Sequence, residues 1–148
     1  MIRFLQNLEN VNVDATKKAS VDMKRGAFVT VDELNGTVSL ATDLASVNGV
    51  VVRDTVVDED VAQGFPISEY SDTQDVIAKD SLVGVKALFK GEQYSTDQFG
   101  TLTDVQAQAG KYLTVANGLL VTSSTETSIV SLGYLNDAGH KVLGYKIV

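Results

Sequence analysis

Short runs of β-branched and aromatic residues, each opened or closed by a glycine, recur along the chain from residue 26 onward. Two long segments share the same order of features. In each, a glycine opens an apolar run, an Asn-Gly pair follows, and a second apolar run returns. The first segment starts at Gly26 and contains Asn35-Gly36, and the second starts at Gly110 and contains Asn117-Gly118. Because Asn and Gly both tolerate a positive φ, this order predicts two β-hairpins.

A third apolar run extends the likeness between the two segments. It comprises Asn48–Asp54 in the first segment and Leu132–Asp137 in the second. The two segments cannot be aligned throughout without an insertion or a deletion. Internal duplication and independent use of the same hairpin pattern are therefore both open, and two copies are too few for a solenoid.

The remaining apolar runs complete a series of short strands. The predicted strands are Ala27–Val31, Thr37–Ala41, Val50–Val57, Asp80–Leu88, Glu92–Thr96, the run from Gly110 to Val115, and Lys141–Val148. Residues 58–75 are acidic and contain the only proline, which predicts a long loop. Helical signals are confined to Thr103–Ala109, which would end at Gly110. These features predict an all-β fold, a small antiparallel barrel or sandwich of short hairpins with at most one or two short helical turns.

The first twenty residues follow neither a two-residue nor a helical period. Their apolar side chains alternate irregularly with asparagines, which disfavour both helix and strand. We therefore predict an extended N-terminal arm over residues 1–20, packed on its own barrel or on another chain, and a single β-rich domain over residues 21–148. The candidates for contact with another chain are Ile2, Arg3, Phe4, Leu5 and Leu8.

Composition and charge narrow the classes of function. The chain has 148 residues, a net charge of −7 and no cysteine. The lack of cysteine excludes a disulfide framework, thiolate zinc sites and a cysteine nucleophile. Residues 1–25 carry a net charge of +2, so that the remainder carries −9. An acidic body argues against nonspecific nucleic-acid binding, which needs a basic surface.

Neither a membrane span nor a signal peptide is predicted. No apolar run reaches the length that a membrane-spanning helix needs. The first ten residues lack the uninterrupted apolar core of a signal peptide. The sequence therefore predicts a soluble protein that is made in a cytoplasm and has no membrane partner.

Few residues are candidates for chemistry. His140, the only histidine, follows Asp137-Ala138-Gly139, a composition that predicts an exposed turn. The carboxylates of Asp58-Glu59-Asp60, and those of Asp72 and Asp75, could form an acid-base pair or bind calcium, but neither group has the spacing of a calcium-binding helix-loop-helix. Phosphate-binding loops and nucleophile elbows are absent from the sequence. We therefore predict no catalytic residues, no cofactor and no metal site, and hence a protein that is not an enzyme.

Four segments of the chain resemble the capsid decoration proteins of tailed bacteriophages, which are also called cement or head-stabilising proteins. These segments are Lys24–Val31, Asn48–Asp54, Lys90–Phe99 and Gly133–Leu135. The resemblance extends over most of residues 24–148 and lies in the order of the segments, without a diagnostic motif. It implies a small β-rich barrel without enzymatic activity, which sits on the outer capsid surface and bridges neighbouring capsomers.

The same resemblance implies partners and a location. The partner would be the major capsid protein, the protein would be a homo-oligomer, and it would reside on the virion after synthesis in the host cytoplasm. The five candidate residues of the arm would then contact the capsid or a sister subunit. Two alternatives are a different phage structural subunit, from a tail tube or a head-tail connector, and a surface or carbohydrate-binding β-module.

Overall fold

The computed structural model describes residues 2–6, 13–52, 76–137 and 139–148, with the backbone alone for residues 3–6. The acidic loop predicted over residues 58–75, with its carboxylates Asp58, Glu59, Asp60, Asp72 and Asp75, lies outside the described residues, as does Leu8. In the described ranges the chain forms strands and one short 3-10 helix, Leu44–Ser46. The strands are β1 Ile2–Gln6, β2 Val13–Ala19, β3 Met23–Lys24, β4 Phe28–Asp32, β5 Thr37–Leu40, β6 Gly49–Val52, β7 Val76–Ile77, β8 Leu82–Lys86, β9 Gln93–Thr96, β10 Tyr112–Ala116, β11 Leu119–Thr122, β12 Ile129–Asp137 and β13 His140–Ile147. The prediction of an all-β fold is confirmed.

The strands form two layers and a small ribbon. A closed five-stranded barrel has the order β2-β5-β4-β6-β8, and a six-stranded sheet has the order β1-β9-β13-β12-β10-β11. The ribbon consists of β3 and β7. Pairing is antiparallel throughout these sheets except between β2 and β5, where Lys18 lies opposite Thr37 in a parallel pair. The helical candidate Thr103–Ala109 forms turns, in which the Ala107 N–H donates to the Thr103 carbonyl at 3.0 Å.

The described parts of the N-terminal segment belong to both layers. β1 pairs with β9 in the sheet, and β2 pairs with β5 and β8 in the barrel. The division of the chain at residue 20 stays a prediction. The first strand of the N-terminal segment, β1, lies at an edge of the sheet, and the second, β2, closes the barrel. Both strands are therefore paired within the chain.

The two similar segments of the sequence form the same three-stranded unit. Unit 1 contains β5-β4-β6 and unit 2 contains β11-β10-β12, each with the first strand in the middle. Gly26 and Gly110 open the two middle strands, and both have φ of +86°. The Gly26 N–H donates to the Val51 carbonyl and the Gly110 N–H donates to the Ser131 carbonyl, both at 2.8 Å. These two hydrogen bonds give Val51 of unit 1 the same position as Ser131 of unit 2. The sequence likeness, which matches Asn48 with Leu132, instead pairs Val51 with Leu135, four residues later.

The two Asn-Gly pairs form different turns. Asn117 and Gly118 both have positive φ, at 49° and 76°, and join β10 to β11 as a two-residue hairpin. Asn35-Gly36 instead ends a four-residue loop, residues 33–36, in which only Gly36 has positive φ. The Asp32 carboxylate holds this loop by accepting the N–H groups of Leu34 and Asn35, at 3.0 and 3.1 Å. This aspartate turn, which the sequence pattern did not predict, makes the first hairpin wider than the second.

Alternate side chains of the barrel strands belong to two separate hydrophobic cores. Phe28 and Val50 point out of the barrel into a main core shared with the sheet, whereas Val29 and Val51 point into the barrel itself. This follows from the two-residue period of a strand. The main core adds fully buried residues of the sheet, among them Tyr94, Leu113, Leu120, Leu143 and Tyr145. The barrel and the sheet are therefore packed as one body.

Candidate functional site

The five candidate contact residues of the arm occupy different positions. Ile2 is 5% exposed and belongs to the main core. Arg3 lies opposite Ser95 and Phe4 lies opposite Tyr94 in the β1–β9 register, which shifts between Phe4 and Gln6. Leu5 falls at this shift, and Leu8 lies outside the described residues. The structure thus brings Ile2 into the protein interior, and contact of the arm with another chain stays a prediction.

His140 begins β13 at an exposed hairpin, as its sequence context predicts, opposite Asp137. Beside it, the Lys141 ammonium lies 3.6 Å from the centre of the Tyr134 ring and 3.1 Å from Asp104 Oδ1. Among the described residues, no group of three or more His, Cys, Asp or Glu side chains is placed to hold a metal ion. These surface contacts join β12, β13 and the loop before β10.

The most concentrated polar chemistry lies inside the protein, where the barrel meets the sheet. Lys86, the last residue of β8, is 1% exposed, and Glu92, just before β9, is fully buried. The Lys86 ammonium lies 2.8 and 3.0 Å from the two carboxylate oxygens of Glu92 and 3.1 Å from the Tyr94 hydroxyl. The Tyr94 hydroxyl and the Phe89 N–H both donate to Glu92 Oε2. We call Lys86, Glu92 and Tyr94 the buried polar cluster.

Aromatic rings surround this cluster. Tyr145 stacks on Tyr94 with ring centres 5.4 Å apart, and Phe28 of the barrel lies 5.6 Å from Tyr145. The Tyr145 hydroxyl is buried without a hydrogen-bond partner among the described residues. Burial of an unpaired hydroxyl is unfavourable, so the ring contacts of Tyr145 with Tyr94 and Phe28 must offset this cost.

The cluster shifts the pKa values of Glu92 and Tyr94 in opposite directions. Burial alone would raise the pKa of Glu92, but the hydrogen bonds from Lys86, Tyr94 and Phe89 outweigh burial and lower it. Burial raises the pKa of Tyr94, and the neighbouring Glu92 carboxylate raises it further. Burial raises the pKa of Tyr145, and electrostatic interaction with Tyr94 and Glu92 raises it further. The cluster and the neighbouring Tyr145 therefore hold one carboxylate and two neutral phenols at neutral pH.

We expect Tyr94 and Tyr145 to ionise only when the protein unfolds. Because the folded protein holds their pKa above the ordinary value of 10.0, the unfolded chain loses these protons first and stability falls as the pH rises above 10. A titration followed at 295 nm and by far-UV circular dichroism should show two of the five tyrosines ionising together with the loss of β structure. Full ionisation of all five tyrosines with the β signal intact would contradict this expectation.

Sequence reasoning missed Lys86 and Glu92. Lys86 is a charged residue within the strand predicted over Asp80–Leu88, and Glu92 follows a Lys-Gly turn, so the sequence context of each is typical of a solvated residue. The outcome differs because β8 is covered on both faces, with Val83 and Val85 facing the barrel interior and Lys86 facing the sheet. No local pattern contains that information.

A second polar group joins β2 to the β4–β5 loop at the surface. The Lys17 ammonium contacts the Asp14 carboxylate and lies 3.2 Å from Glu33 Oε2. Hydrogen bonds from Lys17, and then from Thr16, hold the pKa of Asp14 below its usual range. The same two carboxylates raise the pKa of Lys17. These charges tie two parts of the barrel together.

A cleft in the described part of the chain is large enough for a small molecule. It has a volume of about 330 Å³ and lies where the ribbon, the barrel and the β10–β11 hairpin meet. Its lining residues are Asp22, Met23, Lys24, Ala27, Leu40, Val76, Gln98, Asn117 and Leu119. The lining is mainly apolar, and the buried polar cluster lies elsewhere. The cleft therefore offers mainly apolar contact, with Asp22 and Lys24 as its charged lining residues.

Comparisons with models of protein families, with curated proteins and with solved structures find no match to this chain. Within the described residues, no helix is long and apolar enough to span a bilayer. Interpretation of the function consequently depends on the chain itself.

Proposed function

We propose that this protein is a non-enzymatic structural component of a tailed-bacteriophage virion, which binds the outer surface of the capsid and bridges neighbouring capsomers. The class of partner, a major capsid protein, comes from the resemblance of four sequence segments to capsid decoration proteins. The observation that supports the mechanical role is the junction between barrel and sheet. There, a shared core and a fully buried ion pair join two β layers into one rigid body.

A bridging protein must be rigid, because a flexible connection between its two layers would extend and let the two capsomers move apart. The Lys86–Glu92 pair links the end of a barrel strand to the start of a sheet strand, and Phe28 and Tyr145 link the same two layers by ring contact. Conformational order in the free protein also reduces the entropy lost on binding. The described interior therefore suits a protein that must resist the separation of two capsomers.

The contact segment in this proposal is the outer edge of β1. The sheet has two edge strands, β1 and β11. The β11 edge is covered, because the Gly100 N–H donates to the Leu120 carbonyl and the Leu120 N–H donates to the Gln98 carbonyl. In the described ranges, no strand pairs with β1 on the side away from β9. An uncovered edge can accept a strand from another protein through main-chain hydrogen bonds.

Binding to capsids that lack the protein tests the proposal. We expect the full chain to co-sediment with such capsids in a saturable manner and to raise the temperature at which they release their genome. Leu5→Pro, placed at the register shift of β1, should weaken binding about tenfold or more because proline removes a main-chain donor. Leu5→Val is the matched control, and both variants should keep the far-UV spectrum of the parent.

The possible outcomes test two parts of the proposal separately, the capsid as the partner and the β1 edge as the contact surface. Absence of co-sedimentation by the folded parent chain would reject the capsid as partner. Full binding by a folded Leu5→Pro variant would reject the β1 edge as the contact while leaving the capsid in place. Assembly of the purified protein into rings or tubes without any capsid would favour the tail-tube or connector alternative.

A further inference from the structure

The β10–β11 turn inserts into the first hairpin of the same chain. In unit 1, the Ala41 N–H donates to the Phe28 carbonyl at 2.9 Å, but the reciprocal bond from Phe28 to Ala41 is missing. The backbone of Gly118 lies between Phe28 and Ala41 and replaces this bond. The Phe28 N–H donates to the Gly118 carbonyl at 2.9 Å, and the Gly118 N–H donates to the Ala41 carbonyl at 2.8 Å. The insertion is tight, because a Cβ on Gly118 would lie 2.8 Å from Leu40 Cδ2.

Unit 2 contains the equivalent pair of residues without an insertion. The Ser123 N–H donates to the Tyr112 carbonyl at 3.0 Å, as Ala41 does to Phe28. Regular pairing of β10 with β11 stops at Leu113 and Thr122, one step before this pair. Among the described residues, neither the Tyr112 N–H nor the Ser123 carbonyl has a hydrogen-bond partner. We call Tyr112 and Ser123 the open pair.

Both residues of the open pair are accessible. Tyr112 and Ser123 are half-buried, and their neighbours Lys111 and Ser124 are exposed. A donor and an acceptor placed side by side at the end of a hairpin can bind the N–H and the carbonyl of one residue through two hydrogen bonds. The chain itself shows this arrangement at Phe28 and Ala41.

The turn that corresponds to Gly118 in unit 1 is the β4–β5 loop, residues 33–36. Gly36 has φ of +64°, close to the +76° of Gly118, and a Cβ built on it would meet no atom within 4 Å. Its carbonyl accepts the Lys18 N–H at 3.0 Å, which leaves a second lone pair, and its N–H has no partner in the described residues. Leu34 in the same loop is 93% exposed, so its side chain is available for contact with another chain.

We propose that the β4–β5 loop of one copy inserts into the open pair of a second copy, with Gly36 taking the position that Gly118 has at Phe28 and Ala41. The second copy is the occupant because this chain already makes the same contact once between its own two units. Each copy then carries one inserting loop and one open pair on different units. Such a contact is head-to-tail, so it extends into a chain or closes into a ring. It uses neither the capsid nor β1, and it stands without the proposed function.

The absence of cysteine makes the contact directly testable. Asn35→Cys marks the inserting loop, and Ser124→Cys marks the open pair. A mixture of the two single variants, treated with a short bis-maleimide, should give a covalent dimer, whereas each variant alone should not. The double variant should give a ladder of higher oligomers or one closed ring. Asn35→Cys mixed with Val105→Cys is the control, because Val105 is 63% exposed and is not part of the open pair.

Self-association without labels provides the second measurement. Sedimentation velocity over a concentration series should show reversible association of the parent chain. Leu34→Glu should weaken it about tenfold or more, because one apolar side chain loses its buried contact, whereas Val105→Glu should leave it unchanged. Cross-linking of the mixed pair no faster than the control pair would overturn the proposal. A parent chain that stays monomeric at all concentrations, or a folded Leu34→Glu variant that associates normally, would overturn it as well.

Discussion

Replacement of Lys86 by methionine is expected to lower the free energy of unfolding at pH 7 by about 3–5 kcal/mol, because it leaves a buried carboxylate without its cation. Lys86 is 1% exposed and Glu92 is fully buried, so water cannot replace the lost ammonium. Methionine has nearly the length of the lysine stem and fills the same space, which limits any additional cavity cost. Urea unfolding of the parent and the variant, followed by far-UV circular dichroism, measures the difference.

The pH dependence of this loss identifies its electrostatic origin. In the parent, Lys86, Tyr94 and Phe89 hold the pKa of Glu92 below its ordinary value. Without Lys86, burial is expected to raise that pKa above its unfolded value, so the stability lost at pH 7 returns as the pH falls and Glu92 binds a proton. The deficit of Lys86→Met relative to the parent should therefore shrink between pH 7 and pH 5.

A double-mutant cycle separates charge from packing. Glu92→Gln keeps an acceptor for Phe89 and Tyr94 but removes the negative charge, and the double variant Lys86→Met/Glu92→Gln removes both charges. The double variant should be more stable than the sum of the two single effects predicts, by about 1–3 kcal/mol. Additive losses, or a deficit that is constant with pH, would show that the pair acts only by filling space.

The strands of this fold could be predicted because their signals are local. The sequence predicts a strand over Thr37–Ala41, where β5 spans Thr37–Leu40, and a strand over Glu92–Thr96, where β9 spans Gln93–Thr96. Each strand has β-branched or aromatic residues bounded by turn residues, and that pattern is contained in a few neighbouring positions. Pairing partners are set by contacts between distant residues, such as Arg3 with Ser95. The division into a barrel and a sheet was therefore not predictable from those runs.

The candidate site shows the same limit more strongly. Gly26 and Gly110 could be matched in sequence because both are required for the same positive-φ opening of a strand. The open pair could not be predicted, because the missing bond from the Tyr112 N–H to the Ser123 carbonyl depends on which parts of the chain reach the end of the hairpin in space. Lys86 likewise has the sequence context of a surface residue and becomes buried only because the sheet covers β8. Local pattern thus predicts elements, whereas the polar interior and the contact surfaces depend on assembly.

Gly49→Ala is expected to destabilise the protein by about 3 kcal/mol, although alanine favours folding at most permissive positions. Gly49 begins β6 and lies against β8. A Cβ at this position would lie 2.8 Å from Val85 Cγ1 and 2.9 Å from the Lys86 carbonyl carbon, and closer still to the carbonyl oxygen. Two of these atoms are backbone, so relief requires a shift between β6 and β8 rather than a rotamer change. That shift would move Lys86, and with it the ammonium of the buried polar cluster.

Gly139→Ala is the matched control, because it separates steric crowding from backbone conformation. Gly139 has φ of +90° and no atom within 4 Å of a built Cβ, so alanine there should cost only about 1–2 kcal/mol of left-handed strain. Gly49 has no positive φ, so its cost is steric alone. Gly49→Ala should therefore unfold at a lower temperature than Gly139→Ala. In a double-mutant cycle, the losses of stability from Gly49→Ala and Lys86→Met should not add, because both changes act on Lys86. A Gly49→Ala variant as stable as the parent would show that β6 and β8 can separate freely, which is incompatible with a rigid junction between the barrel and the sheet.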